Sequence, residues 1–303
     1  HILAPLGMTS TTLEARRVPA DRLAHGYRWE DDRWKAEPPL PDGAFGSMGG
    51  LLTSTRDLAR YVSFLMGAWP ARDGAETGPV KRSSLREMQQ IHRPRAATAA
   101  VTADGTLRLN AGGYGYGLGI RQTCDYRTVV SHTGGLPGFG SEMRWLFDEG
   151  VGVIVMGSLT YPGAGATIDQ ALAAMARTGA LTRRQPAPSA ALLQARQDVT
   201  RLITTWDDAL ADRIAAVNLF MDVDKPHRRA QLDRYREQYG ACVMSDRFDV
   251  ENALRGQWNL TCERGTLRVA ITLAPTMPPK VQYLNVTPVP PPSATTTARG
   301  CGA

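Results

Sequence analysis

The sequence predicts an α/β (α+β) protein: a domain with an antiparallel sheet and flanking helices, followed by a small C-terminal α+β domain. Three observations carry this. Apolar residues recur at helical spacing after Ser54, the period changes to strand-like alternation from about Tyr114 to Gly157, and beyond residue 190 helical stripes again give way to alternating strands. Between the two halves "TRRQPAPSA", residues 182–190, mixes Pro, Ala and Ser with charge and has no periodicity, which marks a linker. The division is therefore 1–181, linker 182–190, 191–288, and a tail 289–303.

Taken in order, His1 to Met8 reads as a helix end that breaks into a turn at Pro5 and Gly7. Ser54 or Thr55 is an N-cap with Asp57 in the first turn, and Leu58, Tyr61, Val62 and Leu65 follow at i, i+3, i+4, i+7 until Gly67. A short helix is expected around Ser84 to Ile91. "YGYGLGI", "RTVVSH", "SEMRWLF" and "VGVIVMG" then read as strands of a meander, with Asp148-Glu149-Gly150 as a hairpin turn. Ile168, Ala171, Leu172 and Met175 form one more amphipathic helix, suited to lie on that sheet. In the second domain a stripe of nearly twenty residues runs from Val199 to Val217, and a second helix holds Leu232, Tyr235 and Tyr239. Strands follow at Trp258 to Cys262, Leu267 to Leu273 and Val281 to Val286, with a turn at Arg264-Gly265. The Pro-rich, small and polar tail has too little apolar area to fold and is expected to be disordered.

The 303 residues are 43% hydrophobic, enough for a full core. The net charge is +6, but the arginines are scattered among acids, as in "RWEDDRWK" and "DRYREQ", and form no basic stripe of the kind that binds nucleic acid. No run approaches the roughly 18 consecutive apolar residues of a membrane span, and the N-terminus has no signal-peptide pattern. The four cysteines show no C-x-x-C spacing and do not cluster with the five histidines, so no metal site and no cofactor are expected. Cys242 and Cys262 either pair or are two buried thiols; the sequence does not choose.

"SHTGGLPGFG", Ser131 to Gly140, is poor in Cβ atoms and carries a hydroxyl and an imidazole, as the wall of a cleft would. Together with "ILAPLGMTST", "AFGSMGGLLTSTRDLARYVSFL" and "YGYGLGI", it lies in an order and spacing that resembles the serine beta-lactamase-like family of class C beta-lactamases, D-alanyl-D-alanine carboxypeptidases and related esterases. The resemblance covers residues 2–156 and implies a partial beta-lactamase/transpeptidase-like domain in 1–181. It places His132, Thr133 and Gly134 where the family has Lys-Thr-Gly beside the nucleophile. By that likeness Thr133 offers its hydroxyl to a substrate carboxylate or carbonyl, His132 replaces the cation, and Gly135 supplies one N–H of the oxyanion hole. His for Lys exchanges a permanent cation for a group that titrates near neutrality, which favours an ester or peptide-like substrate over a beta-lactam carboxylate.

The family's Ser-x-x-Lys nucleophile motif has no counterpart in the chain. Ser83-Ser84-Leu85-Arg86 is the nearest run, but Arg does not deprotonate and cannot be the base. Tyr283-Leu284-Asn285 matches Tyr-x-Asn only formally, in the wrong domain. Ser47 lacks the G-x-S-x-G elbow, and "GGYGYGLG" lacks the Lys-Ser/Thr of a phosphate loop. Asp207 and Asp208 beside Trp206 read as an exposed helical face. Both missing elements belong upstream of "ILAPLGM" in that family, so the expectation is a family member truncated at its N-terminus, with no nucleophile in this chain, which alone is expected to be inactive. Two readings result. The whole protein is a serine hydrolase acting on a small or peptide-like acyl substrate through an acyl-enzyme, in the bacterial periplasm or secreted; or the chain is a non-catalytic module that binds a peptide or peptidoglycan fragment. Oligomeric state is not readable.

Overall fold

A computed structural model describes residues 1–290 except 41, 42, 45, 73, 102–104 and 106. The chain divides into two compact units, residues 1–184 and the segment from Gln185 onward.

The first unit contains the hairpin β1 (Tyr27–Glu30) and β2 (Arg33–Ala36), then α1 (Gly46–Gly49), α2 (Thr55–Met66) and α3 (Arg82–Met88). The strands β3 (Arg93–Val101), β4 (Leu107–Tyr114), β5 (Gly119–Thr123), β6 (Val129–Leu136), β7 (Phe139–Leu146) and β8 (Val151–Gly157) follow, and α4 (Gly165–Arg177) ends the unit. The six strands form one antiparallel sheet in sequence order. Val62 and Leu65 of α2 pack with Ile120, Val130 and Trp145 in one core cluster, while Ile168 and Leu172 of α4 pack with Val129 and Leu146 in another. Val129 and Val130 are adjacent and Leu146 and Trp145 are adjacent, so the alternation of a strand sends them to opposite faces and the sheet carries a helix on each.

Local chemistry sets these elements. Ser54 caps α2 by accepting the Asp57 N–H, and Gly67 ends it. The Asp57 carboxylate, 1% exposed, accepts from the Ser10 N–H, the Thr11 hydroxyl and Arg60, and Arg60 also donates to the Gly7 carbonyl. The segments "PLGMTST" and "STRDLAR" are thus joined by one buried acid. Gln89 is equally committed: its amide donates to the Leu65 and Leu85 carbonyls and accepts from the Trp145 indole N–H. The β6–β7 loop is Pro137-Gly138 with Gly138 at φ 84°, as a type II turn requires.

The second unit opens with α5 (Ala190–Thr204), α6 (Asp208–Ile214) and α7 (Lys225–Tyr239). The antiparallel meander β9 (Cys242–Asn252), β10 (Arg255–Cys262), β11 (Gly265–Leu273) and β12 (Val281–Pro288) completes it. One core joins Leu192, Val199, Leu202 and Leu232 of the helices to Leu260, Val269, Ile271 and Leu284 of the sheet. Cys242 and Cys262 face each other across β9 and β10 and are disulfide-bonded.

Several expectations change. The Val199–Val217 stripe is two helices: Thr204 turns its hydroxyl back to the Thr200 and Arg201 carbonyls, Asp207 caps α6 through the Ala209 and Leu210 N–H groups, and Val217 is 96% exposed. "YGYGLGI" is the β4–β5 turn, closed by Gly115 N–H to the Leu118 carbonyl with Gly117 at φ 70°, rather than one strand. The sheet also begins two strands earlier, at Arg93. The disorder expected of the tail falls on residues 291–303, outside those described; Val289 is still hydrogen-bonded to Thr266.

Candidate functional site

His132, Thr133, Gly134 and Gly135 occupy the second half of β6, and all four are exposed. The pairing of β6 is asymmetric. On one side it pairs with β7 from Val130↔Trp145 to Leu136↔Phe139, through all of the second half of the strand. On the other it pairs with β5 only through Val129, Val130 and Ser131, so the β5 ladder stops immediately before His132. In an antiparallel strand the N–H and C=O of successive residues turn alternately to the two neighbours. Part of the backbone of residues 132–136 therefore faces an edge that β5 leaves unpaired, and such groups bind water or an extended ligand.

The surroundings hold this segment in place. Glu142, cross-strand from Thr133 and 5% exposed, is tied to Arg144, which also binds Asp169 of α4, so this acid is already paired with a cation. Gly49 of α1 packs so closely on Leu136 that an added Cβ would lie 2.8 Å from its Cδ2. At the turn, the Gly138 N–H donates to the Thr160 hydroxyl at 2.7 Å, and the Gly138 backbone touches Gly26. The glycines of β6 and β7 answer first to this packing. A Cβ on Gly135 would overlap the Tyr161 ring, and one on Gly140 would overlap Pro162. Tyr161 itself has φ 48°, a strained value for a side chain of that size.

The hydroxyl of Tyr114, the last residue of β4, lies 2.9 Å from His132 Nε2. Sequence reading took the stretch around Tyr114 as strand pattern and missed this contact, as it missed Tyr161; the alternation of Tyr with Gly was the only visible signal. The remaining candidates lie elsewhere. Ser83 and Ser84 are on α3, where Arg86 donates to the Ala68 carbonyl and stacks on Trp69, and Ser47 is on α1. Tyr283, Leu284 and Asn285 are in β12 of the second unit. Among the described residues no histidine or lysine is hydrogen-bonded to a serine hydroxyl, and no group of three or more His, Cys, Asp or Glu is placed to hold a metal ion. No helix of the described residues is long and apolar enough to cross a membrane.

The model of the beta-lactamase family matches residues 1–178, more than half of the sequence. The chain belongs to the beta-lactamase family. Its antiparallel sheet between helices is the mixed α/β arrangement that this membership implies. The solved structures similar to it include an octameric penicillin-binding protein homologue from Pyrococcus abyssi, 18% identical over 91% of this chain and 50% of that one, with a TM-score of 0.44. A beta-lactamase from Sulfitobacter sp. EE-36 is 18% identical over 57% and 51%, TM-score 0.38, and a class C beta lactamase from Rhodobacter sphaeroides is 18% identical over 57% and 52%, TM-score 0.39. This beta-lactamase family chain spans about half the length of those structures. No curated protein sequence matches it.

Proposed function

We propose that this chain supplies the substrate-facing strand of a serine hydrolase that cleaves an ester or amide through an acyl-enzyme. The observation that carries the reading is the free edge of β6, which begins at the His-Thr-Gly run of a chain that belongs to the beta-lactamase family. In this reading a substrate acyl group lies along residues 132–136 with its carbonyl oxygen at the Gly135 N–H, a donor worth roughly 10²–10³ in rate where such a group has been removed. Thr133 donates its hydroxyl to the substrate, and His132 stands where relatives carry a cation. The nucleophilic serine comes from residues outside this sequence. Its Oγ attacks the carbonyl carbon, the alcohol or amine leaves, and water then releases the acid and frees the serine.

Residues 191–288 form an accessory domain in this proposal, with 182–190 as the linker. The Cys242–Cys262 bridge supports an oxidising compartment, the periplasm or the exterior, because such bonds persist there. No cofactor is required.

The test is intact mass after incubation with a fluorophosphonate and, separately, a penicillin. The expected result is no adduct on this chain and a stoichiometric adduct when the upstream coding region is included. An adduct on the chain alone would place the nucleophile within these residues and overturn its assignment. Absence of labelling in the longer protein would leave the peptide-binding module as the function.

A further inference from the structure

Tyr114, Gly119 and Ser131 lie in one row across β4, β5 and β6, so Tyr114 and His132 start from opposite faces of the sheet. Their side chains nevertheless meet, hydroxyl to Nε2 at 2.9 Å, with the rings edge-on and 6.2 Å apart. The contact runs around the end of β5, where the edge of β6 becomes free, and Gly119 puts no side chain into the row between them.

We propose that Tyr114 is a positioning residue for His132: its O–H donates to Nε2, so that the neutral imidazole carries its proton on Nδ1. A neutral imidazole has one nitrogen that donates and one that accepts, and the partner of one fixes the proton on the other. A phenol O–H is more acidic than an imidazole N–H, and its oxygen lone pair is drawn into the ring, so the bond runs from oxygen to nitrogen. Resting on the hydrolase reading above, the consequence is a substrate class. In its neutral form this imidazole has a single N–H, on Nδ1, where relatives have an ammonium, which suits a neutral ester or amide better than an acyl compound with a free carboxylate.

The same turn supplies an internal contrast. Tyr116 lies tilted against His92 with ring centroids 4.7 Å apart, but His92 Nε2 lies 3.0 Å from the Glu87 carbonyl oxygen and 3.3 Å from its carboxylate, both of which accept only, so Nε2 of His92 must carry a proton. The two histidines held by this one turn therefore have opposite tautomers.

Long-range ¹H–¹⁵N correlation spectra of the ¹⁵N-labelled chain, recorded with the imidazoles neutral, test the assignment. His132→Gln identifies the His132 signal among the five histidines. The expected wild-type pattern is protonated Nδ1 for His132 and protonated Nε2 for His92; in Tyr114→Phe, His132 shifts to the Nε2–H form while His92 keeps its pattern. A wild-type His132 with Nε2–H, or a Phe variant in which His132 is unchanged, would overturn the proposal. The wild-type spectrum decides even if the variant folds poorly. The readout needs no catalysis, so it stands or falls apart from the hydrolase assignment.

Discussion

β6 and β11 are both interior strands of antiparallel sheets, and they are used differently. β11 is paired on both sides from Leu267 to Thr272, and Leu267, Val269, Ile271 and Leu273 along its inner face are each 1% exposed or less. β6 begins the same way, with Val129 and Val130 buried and β5 and β7 on either side. From His132 it loses one neighbour and becomes exposed. The first half of β6 therefore serves the core, and the edge of the second half, without a strand partner, must take its hydrogen bonds from solvent or from a ligand such as the substrate of the proposed function.

That contrast is sharpest where a change removes core. Ile271→Ala should lower the unfolding free energy by about 2–5 kcal/mol, the range for truncating a buried aliphatic side chain, read as a shift in urea midpoint. Reducing Cys242–Cys262, which closes a loop 20 residues apart in sequence, should cost about 3 kcal/mol under the same assay. In the first unit Gln89→Leu strands the Trp145 N–H and takes one donor from each of two carbonyls, and a loss of about 1–3 kcal/mol is expected. On the exposed half of β6 the readout changes. Thr133→Val should leave stability within about 0.5 kcal/mol. In the protein that includes its nucleophile it should lower kcat/KM for an ester about tenfold, one neutral hydrogen bond's worth. A stability loss as large as that of Ile271→Ala would show that this half of β6 is core after all.

The pH dependence separates the same regions by a different route. Burial pushes the Asp57 carboxyl up, but hydrogen bonds from Thr11, Ser10 and Arg60 outweigh it and hold it below its ordinary value. A carboxylate depressed in the folded state stabilises fully above its unfolded value near 4 and loses that contribution as pH falls through the folded one. Urea midpoints should therefore drop on acidification below about pH 4, and Asp57→Asn should flatten that part of the profile while lowering the midpoint at pH 7.

Much of this was legible in the sequence. Ser54 as cap, the stripe through Val62 and Leu65, and the paired alternation of β10 and β11 are local signals, and each produced its element. The hairpin β1–β2 went unread because Tyr27 and Trp29 alternate with charge on a ribbon with no buried residue, and its loop is Asp31-Asp32 in place of the usual glycine, with both residues at positive φ. β3 went unread because every residue of "RPRAATAAV" is exposed and no burial imposes a period. At the site, the order of motifs pointed to His132 through Gly135. The end of the β5 ladder, the Tyr114 contact and the Tyr161 ring over Gly135 depend on register and on a loop far along the chain, which no local pattern encodes.

The Asp57 cluster also sets an order of events. Its bonds to Ser54 and Arg60 span three residues and form with α2, whereas those to Ser10 and Thr11 reach across 47 and 46 positions and close only when the leading segment docks. One carboxylate thus works as a latch between a helix and a strap. Protonating it loosens the strap, which then keeps only its Thr12–Leu52 pairing and the Gly7–Arg60 bond, while the helix and the sheet behind it keep their own bonds, so below about pH 4 the amide of Ser10 should exchange with solvent well before those of β7.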